Sequence, residues 1–500
     1  MTRSIVSGEG AWHAGETIRA RREATRPAPS ATGRTVSRMT AIDEIAPAID
    51  RVRDGYRDGV VRAVVDRETQ LRQLRRLLVE QEDVLAQALR DDLGKSPIEA
   101  YSTEIGFTLN ELDHALNHVR SWTQPQKVRM PIHLRPGSAR VIQEPLGTVL
   151  IIAPWNYPVQ LLLGPLIPAL AAGNTAVVKP SEVAPATAAA LADLIPRYLD
   201  ERAVQVVTGG VEETTELLAH QFDHIFYTGN GTVGRVVMEA ASRHLTPVTL
   251  ELGGKSPAIV TDSADVVVSA RRIAWGKFVN AGQTCVAPDY VLVPDSLHDQ
   301  FVAELATAVK TFFGDDPATS DDYGRIVNER HHARLSGLLD RGGYDTVAVG
   351  GERDVESRYI APTVLTGVKP DAAVMDDEIF GPILPVLEYE QLDDAIAFVN
   401  DRPKPLALYV FGSRAVAIDR VIEHTSAGGV TVNHTLLHVS VADLPFGGIG
   451  ASGMGAYHGE AGFHVFSHAK PILQRSTRAD SSIAYPPYTA FKQKLLRRLL

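Results

Sequence analysis

The residue best suited to covalent chemistry occurs once. Cys285 is the only cysteine among 500 residues and lies in FVNAGQTCVAPDY, residues 278–290. A lone cysteine forms no intrachain disulfide, which points to a reducing compartment. Taken singly, it reads either as a small buried hydrophobe or as a nucleophile. A second signal is HIFYTGNGTVGRVVMEAA (224–241), where Gly229, Gly231 and Gly234 spell G-x-G-x-x-G between a predicted strand and a predicted helix. Glycines there allow a tight turn and close backbone approach, and a helix N-terminus favours a pyrophosphate. Glu251 follows at ~20 residues, the spacing of an acid that binds a nucleotide ribose.

Two other patterns fail on inspection. LGGKSP (252–257) imitates a P-loop, but Thr249 stands where glycine is required, and Pro257 sits where the helix should run. His331 and His332 are adjacent, so on a helix they point about 100° apart, and no second ligand pair accompanies them. No metal site is expected.

These residues need a scaffold. Five hundred residues exceed one hydrophobic core and imply two or three domains. A formal charge of −10 argues against nucleic-acid binding. No apolar run reaches the roughly 18–20 residues of a membrane span. The nearest approach, 146–173, is interrupted by Asn156, Gln160 and prolines 154, 158, 165 and 168. It reads instead as buried strand, turn and buried helix.

The first 38 residues carry seven Arg, three Glu and no Lys, without apolar periodicity. They read as a disordered extension, with Met39 a candidate start. Residues 39–122 repeat apolar positions at helical spacing. Strand-like runs follow, ARVIQEPLGTVLIIAP, NTAVVKPS, AVQVVTGG, HIFYTG and PVTLELGG, alternating with helical stretches. A second alternating set occupies about 256–452. The alternation predicts βαβ units and parallel sheets, an α/β fold. The end FKQKLLRRLL (491–500) is basic and amphipathic, and is expected to pack on protein rather than on a membrane surface.

Several motifs together resemble an aldehyde dehydrogenase: PWNYP (154–158), VVKPSE (177–182), YTGNGTVG (227–234), LELGGKSP (250–257), GQTCVAPDY (282–290), EIFGP (378–382) and LPFGGIGASGMGAYHG (444–459). They run in family order over roughly residues 40–475, and several resemble the class 3 branch. One departure is His434, where that branch carries an acid. The resemblance implies a Rossmann-type parallel-sheet cofactor domain at 39–251, with bridging strands at about 124–143 inserted in it. A catalytic domain would span 252–452, a return and bridging strand 453–480, and a tail 481–500.

The resemblance also implies the chemistry. The enzyme would oxidise a medium- or long-chain aliphatic or aromatic aldehyde to a carboxylic acid. Cys285 is then the nucleophile, since a thiolate both attacks and leaves readily. Asn156, with the Cys285 N–H, forms the oxyanion hole. Glu251 becomes the base that activates water for thioester hydrolysis, which displaces the ribose role its spacing suggests. The cofactor, NAD with NADP accepted, falls to Lys179, Glu182, Trp155, Gly229, Asn230, Val233, Gly234, Leu252, Glu378 and Phe380. Gly231 is incidental to that loop. Tyr157 and Phe446 are expected in the aldehyde pocket. A cytoplasmic homodimer is implied, as are two rivals: an acylating enzyme using coenzyme A, which Glu251 opposes, and a binding protein without activity.

Overall fold

The computed structural model describes residues 39–131, 134–478, 480 and 482–499. The extension expected at 1–38 lies outside them. Helices Ile42–Asp58, Val64–Glu80, Glu82–Leu93 and Gly106–Trp122 occupy the region of helical periodicity. Their apolar faces are the buried ones: Ile45, Ile49 and Val52 on the first, Leu71, Leu74, Leu77 and Leu78 on the second.

Among the described residues, eighteen strands accompany the helices. The first seven are β1 (Gln126–Val128), β2 (Gly137–Pro145), β3 (Thr148–Ile152), β4 (Thr175–Lys179), β5 (Val204–Val206), β6 (His224–Thr228) and β7 (Val248–Glu251). A second series comprises β8 (Pro257–Val260), β9 (Tyr290–Pro294), β10 (Thr346–Val349), β11 (Arg353–Asp354), β12 (Tyr359–Ile360), β13 (Thr363–Thr366), β14 (Ile383–Tyr389), β15 (Ala407–Phe411) and β16 (Gly429–Val432). β17 (Gly453–Met454) and β18 (Ser467–Arg475) follow.

The first sheet has the order β17-β7-β6-β3-β4-β5. It is parallel except for β17, which returns antiparallel to β7 and pairs Gly453 with Glu251. The order reverses at β3, so the crevice beyond its C-terminal end is the place where such sheets bind ligands. The second sheet runs β10-β13-β14-β9-β8-β15-β16, parallel apart from edge strand β10. β3, β4, β6, β9 and β15 are buried along their whole length, as their predominantly apolar sequences require when helices cover both faces. Helix Gln160–Ala172 is likewise buried almost throughout, in spite of Pro165 and Pro168 inside it.

A third sheet, β1-β2-β18, is antiparallel and largely exposed. The stretch ARVIQEPLGTVLIIAP reads as one run but is divided between two sheets. Gly147 turns the chain at φ 146°, and a Cβ there would lie 2.0 Å from the Asp223 carboxylate, which accepts the Thr148 N–H at 2.7 Å. The basic terminal segment forms helix Ala490–Leu499, which contacts the 3₁₀ turn Ser482–Ala484. No helix of the described residues is long and apolar enough to cross a membrane.

Candidate active site

Cys285 follows a sharp turn at the end of helix Val266–Phe278. Asn280, Ala281 and Gly282 take φ of 53°, 49° and 73°. Two non-glycine residues in the left-handed region carry strain, which surrounding contacts must overcome. Those contacts are present. Asn280 Nδ2 donates to the carbonyls of Asn156 (2.8 Å) and Gln283 (3.1 Å), and its N–H reaches Glu99 Oε1 at 2.8 Å. Gln283 Nε2 donates to the carbonyls of Asn280 and Arg325, each at 3.0 Å, while its Oε1 accepts the Val327 N–H at 2.9 Å. At Gly282 a Cβ would lie 2.2 Å from the Gly381 carbonyl oxygen, so only glycine fits.

Asn156 is buried in the loop after β3, and its Nδ2 donates to the Gln283 carbonyl at 3.0 Å. An amide carries two donor hydrogens, so one fixes the side chain while the other can serve a ligand. Lys95 Nζ holds the Asn156 carbonyl at 3.2 Å and pairs with Glu104 at 2.5 Å. Glu104 in turn accepts the N–H groups of Val159 (2.8 Å) and Gln160 (3.3 Å) at the start of helix Gln160–Ala172, where a carboxylate suits the helix dipole. Tyr157 lies under Lys95, whose Nζ is 3.9 Å from the ring centre, and its hydroxyl meets Thr284 Oγ1 at 2.6 Å. Asn280, Gln283, Lys95 and Glu104 were not singled out from sequence. Two amides flanking a glycine beside the lone cysteine were the available signal.

The Cys285 thiol is half-buried. Burial pushes it up to about 12, and the acids Glu378 and Glu251 add to that, while the N–H groups of Cys285 and Val286 favour the thiolate. Glu251 closes β7 and is 3% exposed, yet neither carboxyl oxygen has a hydrogen-bond partner. Burial alone raises it well above the usual carboxylate range. Glu378 behaves similarly. Burial, then Asp289, push it up to about 8, and its Oε1 is unpartnered. Gly253 makes room for it, because a Cβ there would stand 1.9 Å from Glu378 Oε2.

The crevice beyond the first sheet collects most of the residues expected to hold a dinucleotide. Lys179 ends β4, and Glu182 pairs with it at 2.6 Å, so the two opposing charges neutralise one another. Asn230 caps helix Gly231–Ser242 by accepting the Val233 N–H at 3.0 Å. A Cβ at Gly229 would meet Tyr227 Oη at 2.2 Å, and one at Gly234 would meet Leu252 at 3.1 Å. At Gly231 the nearest atom is 3.7 Å away, on the flexible Arg235 side chain, so no crowding requires glycine there. Trp155 packs edge-on against Phe380 with centroids 5.3 Å apart, and Phe380 itself has φ 50°.

His331 was considered only as a metal ligand in the sequence. It lies 4.9 Å from the Trp155 ring, with both nitrogens buried and unpartnered. Burial, then Arg334 and Arg330, push it down to about 4, so the ring is neutral. Arg334 beside it donates to the Ile379 carbonyl at 2.7 Å. His332 is occupied elsewhere, by the Tyr359 carbonyl at 3.0 Å, and no group of metal-binding side chains occurs among the described residues.

Phe446 is buried against Tyr457, His458 and His438, with centroids at 5.9, 5.5 and 6.0 Å. The glycines after it serve backbone-to-backbone packing. A Cβ at Gly453 would fall 2.0 Å from the Leu250 carbonyl, and one at Gly448 would fall 2.0 Å from that of Ser452. The loop can therefore lie flat on the strand that carries Glu251. His434 packs edge-on to Trp275 at 5.6 Å.

The chain is similar to known proteins over most of its length. A profile described as "Aldehyde dehydrogenase family" matches residues 12–472, reaching back into the leader that sequence reading had set apart. Rat "Aldehyde dehydrogenase family 3 member A2" is 49% identical over 446 residues, 89% of this chain and 92% of the relative. The Staphylococcus aureus "4,4'-diaponeurosporen-aldehyde dehydrogenase" is 48% identical, covering 84% and 92%. Rat "Aldehyde dehydrogenase, dimeric NADP-preferring" is 46% identical, covering 90% and 99%. Among solved structures, "Substrate bound state of Staphylococcus Aureus AldH" superposes with a TM-score of 0.89 at 45% identity, over 92% of this chain and 99% of that one.

Proposed function

This chain belongs to the aldehyde dehydrogenase family, and on that premise we propose that Cys285, Asn156 and Glu251 carry its chemistry. It is an NAD(P)-dependent enzyme that oxidises medium- or long-chain aliphatic or aromatic aldehydes to carboxylic acids. The observation that carries the assignment of roles is the Glu251 carboxyl, buried and unpartnered at the strand end and near enough to raise the Cys285 thiol.

A dinucleotide fits the residues present. Glu378 offers a buried acceptor without a donor, Lys179 closes β4 with Glu182 paired to it, and Gly229 and Gly234 shape the turn above β6. Glu378 would hold the nicotinamide ribose, with Trp155, Phe380 and the neutral His331 beside it. Lys179 would hold the adenosine ribose, while Asn230, Val233 and Leu252 would border the same crevice. When bound, NAD(P)+ supplies the hydride acceptor.

In this reading the thiol gives its proton to a base and attacks the aldehyde carbonyl. The oxyanion is received by the free donor of Asn156 and by the Cys285 N–H. Such preorganised donors act where charge develops and lose nothing to reorganisation. Loss of hydride leaves a thioester on Cys285. Glu251 then takes a proton from water, and the hydroxide equivalent displaces the thiolate to release the acid. A carboxyl held above its usual range is a stronger base than a solvated one, which suits this step. Tyr157 and Phe446 border the aldehyde. The Lys179–Glu182 pair leaves no uncompensated positive charge for a 2′-phosphate, so NAD is preferred and NADP tolerated. The exposed third sheet and the relative named as dimeric support a homodimer. A cytoplasmic setting is consistent with the single thiol.

The test uses purified protein with NAD or NADP and short, long and aromatic aldehydes, following reduced nicotinamide and acid together. Glu251→Gln is expected to give one burst of reduced cofactor without steady turnover, and Cys285→Ala to give neither. Weakened cofactor binding with hydrolysis intact in Glu251→Gln would return that residue to the ribose. Acyl transfer to coenzyme A in place of acid formation would favour the acylating rival.

A further inference from the structure

Glu378 belongs to a largely buried cluster of two cations and two anions. Lys277, in the last turn of helix Val266–Phe278, is fully buried, and its Nζ has no hydrogen-bond partner. Its nearest acid is Asp289, with Oδ1 at 4.0 Å. That same oxygen accepts the Ile379 N–H at 3.0 Å, at the peptide joining Glu378 to Ile379. The other carboxylate oxygen of Asp289 accepts from Lys255 Nζ at 2.5 Å. Lys255 also donates to the carbonyls of Val374 (2.8 Å) and Asp377 (3.0 Å), so all three of its ammonium hydrogens are used.

The charges can therefore be matched one to one. Lys255 answers Asp289 and has nothing left to give. Lys277 is the remaining cation, and Glu378, with Oε1 unpartnered, is the remaining anion. A buried donor and a buried acceptor without partners in one cluster are complementary. Lys277 contributes little to the fold as it stands, since burying an ammonium without hydrogen bonds is costly and Asp289 is already satisfied. Methionine would fill the same space without that cost.

We propose that Lys277 is a positioning residue for cofactor binding: from the same cluster it supplies counter-charge that favours Glu378 as an acceptor for the nicotinamide ribose hydroxyls. This rests on the reading of Glu378 given above. Burial brings Lys277 down to about 8, against which Asp289 and then Glu378 raise it, while Lys255 and then Lys277 lower the proton affinity of Glu378. A neutral carboxylic acid is a weaker acceptor than a carboxylate, so losing the ammonium loosens the cofactor without removing any group that touches it. Lys277 lies eight residues before the nucleophile and Asp289 four after it, so one segment supplies the thiol and two members of the cluster.

The experiment is equilibrium binding of NADH, read by its fluorescence, to wild type, Lys277→Met, Glu378→Gln and the double variant, with thermal unfolding of each. Lys277→Met is expected to weaken NADH about 10-fold, as loss of one charge-assisted hydrogen bond does. Its Tm should be unchanged or higher. The double variant should bind no worse than Glu378→Gln alone, because the lysine acts through the acid. Wild-type affinity in Lys277→Met, or independent effects that multiply in the double variant, would overturn the proposal. Unchanged NADH affinity in Glu378→Gln would instead remove the ribose role of Glu378, and the inference with it. Lys277→Gln carries the same expectations if the methionine variant folds poorly.

Discussion

Two halves of one site treat their polar groups in opposite ways. Around Asn156, the side chains of Asn280, Gln283, Lys95 and Glu104 are tied together by buried hydrogen bonds. Around Glu251 and Glu378, buried carboxyl oxygens and the Lys277 amine stand without partners. An unmade buried hydrogen bond costs roughly 1–3 kcal/mol, so the second half is the more expensive, while among the four side chains of the first only Asn280 Oδ1 stands unpartnered. The difference follows the chemistry. Oxyanion donors must be in place before charge develops, whereas a base must keep its lone pairs for water and a ribose acceptor must keep its own for the cofactor.

The comparison breaks most sharply at Asn156. Asn156→Ala removes the side-chain oxyanion donor and should lower kcat by about 10²–10³, with cofactor affinity unchanged by NADH titration. Equal loss of NADH binding would mean that the residue serves the whole crevice.

Gln283→Ala attacks the framework instead. It removes three hydrogen bonds, leaving the carbonyl of Arg325 and the N–H of Val327 to find water, while the Asn280 carbonyl keeps the backbone N–H of residue 283. It should destabilise the fold by about 2–4 kcal/mol and lower kcat about 10-fold through a misplaced Asn156. Calorimetry and steady-state rates test the two effects separately. A lower Tm with an unchanged rate would show that the strained turn holds its shape without that side chain.

Glu182→Gln frees the Lys179 ammonium and should improve the NADP-to-NAD ratio of kcat/KM a few-fold. Half of that ion pair is solvent-exposed, which limits its strength.

The smallest effect is on stability. The proton affinity of Glu251 is raised on folding, so its contribution to stability is full below the unfolded carboxyl range and is lost as pH rises through the folded value. Ionising it inside the fold therefore costs stability. Glu251→Gln should raise Tm by a few degrees at pH 8 and by less at pH 5. A lower Tm at both values would show that the carboxyl has bonding partners in solution.

Much of this was legible in the chain itself. The lone Cys285, the glycine spacing at 229 and 234, and the apolar runs of β3, β4 and β6 are local features, fixed by residue type and period. So was the reading of Gly231 as incidental to the turn, which the open space around that position fits. Sequence order could not reveal that 139–154 divides between two sheets, because the break depends on Asp223, far along the chain, meeting Gly147. Nor could it separate the two roles open to Glu251 without the family resemblance.

What tertiary structure decided was which polar groups are satisfied. Residue identity gives each side chain its donors and acceptors, but partners such as Arg325 for Gln283, Asp289 for Lys255 and Trp155 for His331 come from segments tens of residues or more away. Burial then sets the value of each pairing, since a carboxyl or amine costs little in water and much in the interior. The sequence by itself determined the inventory of reactive groups and the strands that carry them. Only the packed fold decided which were locked in place and which were left open for a partner.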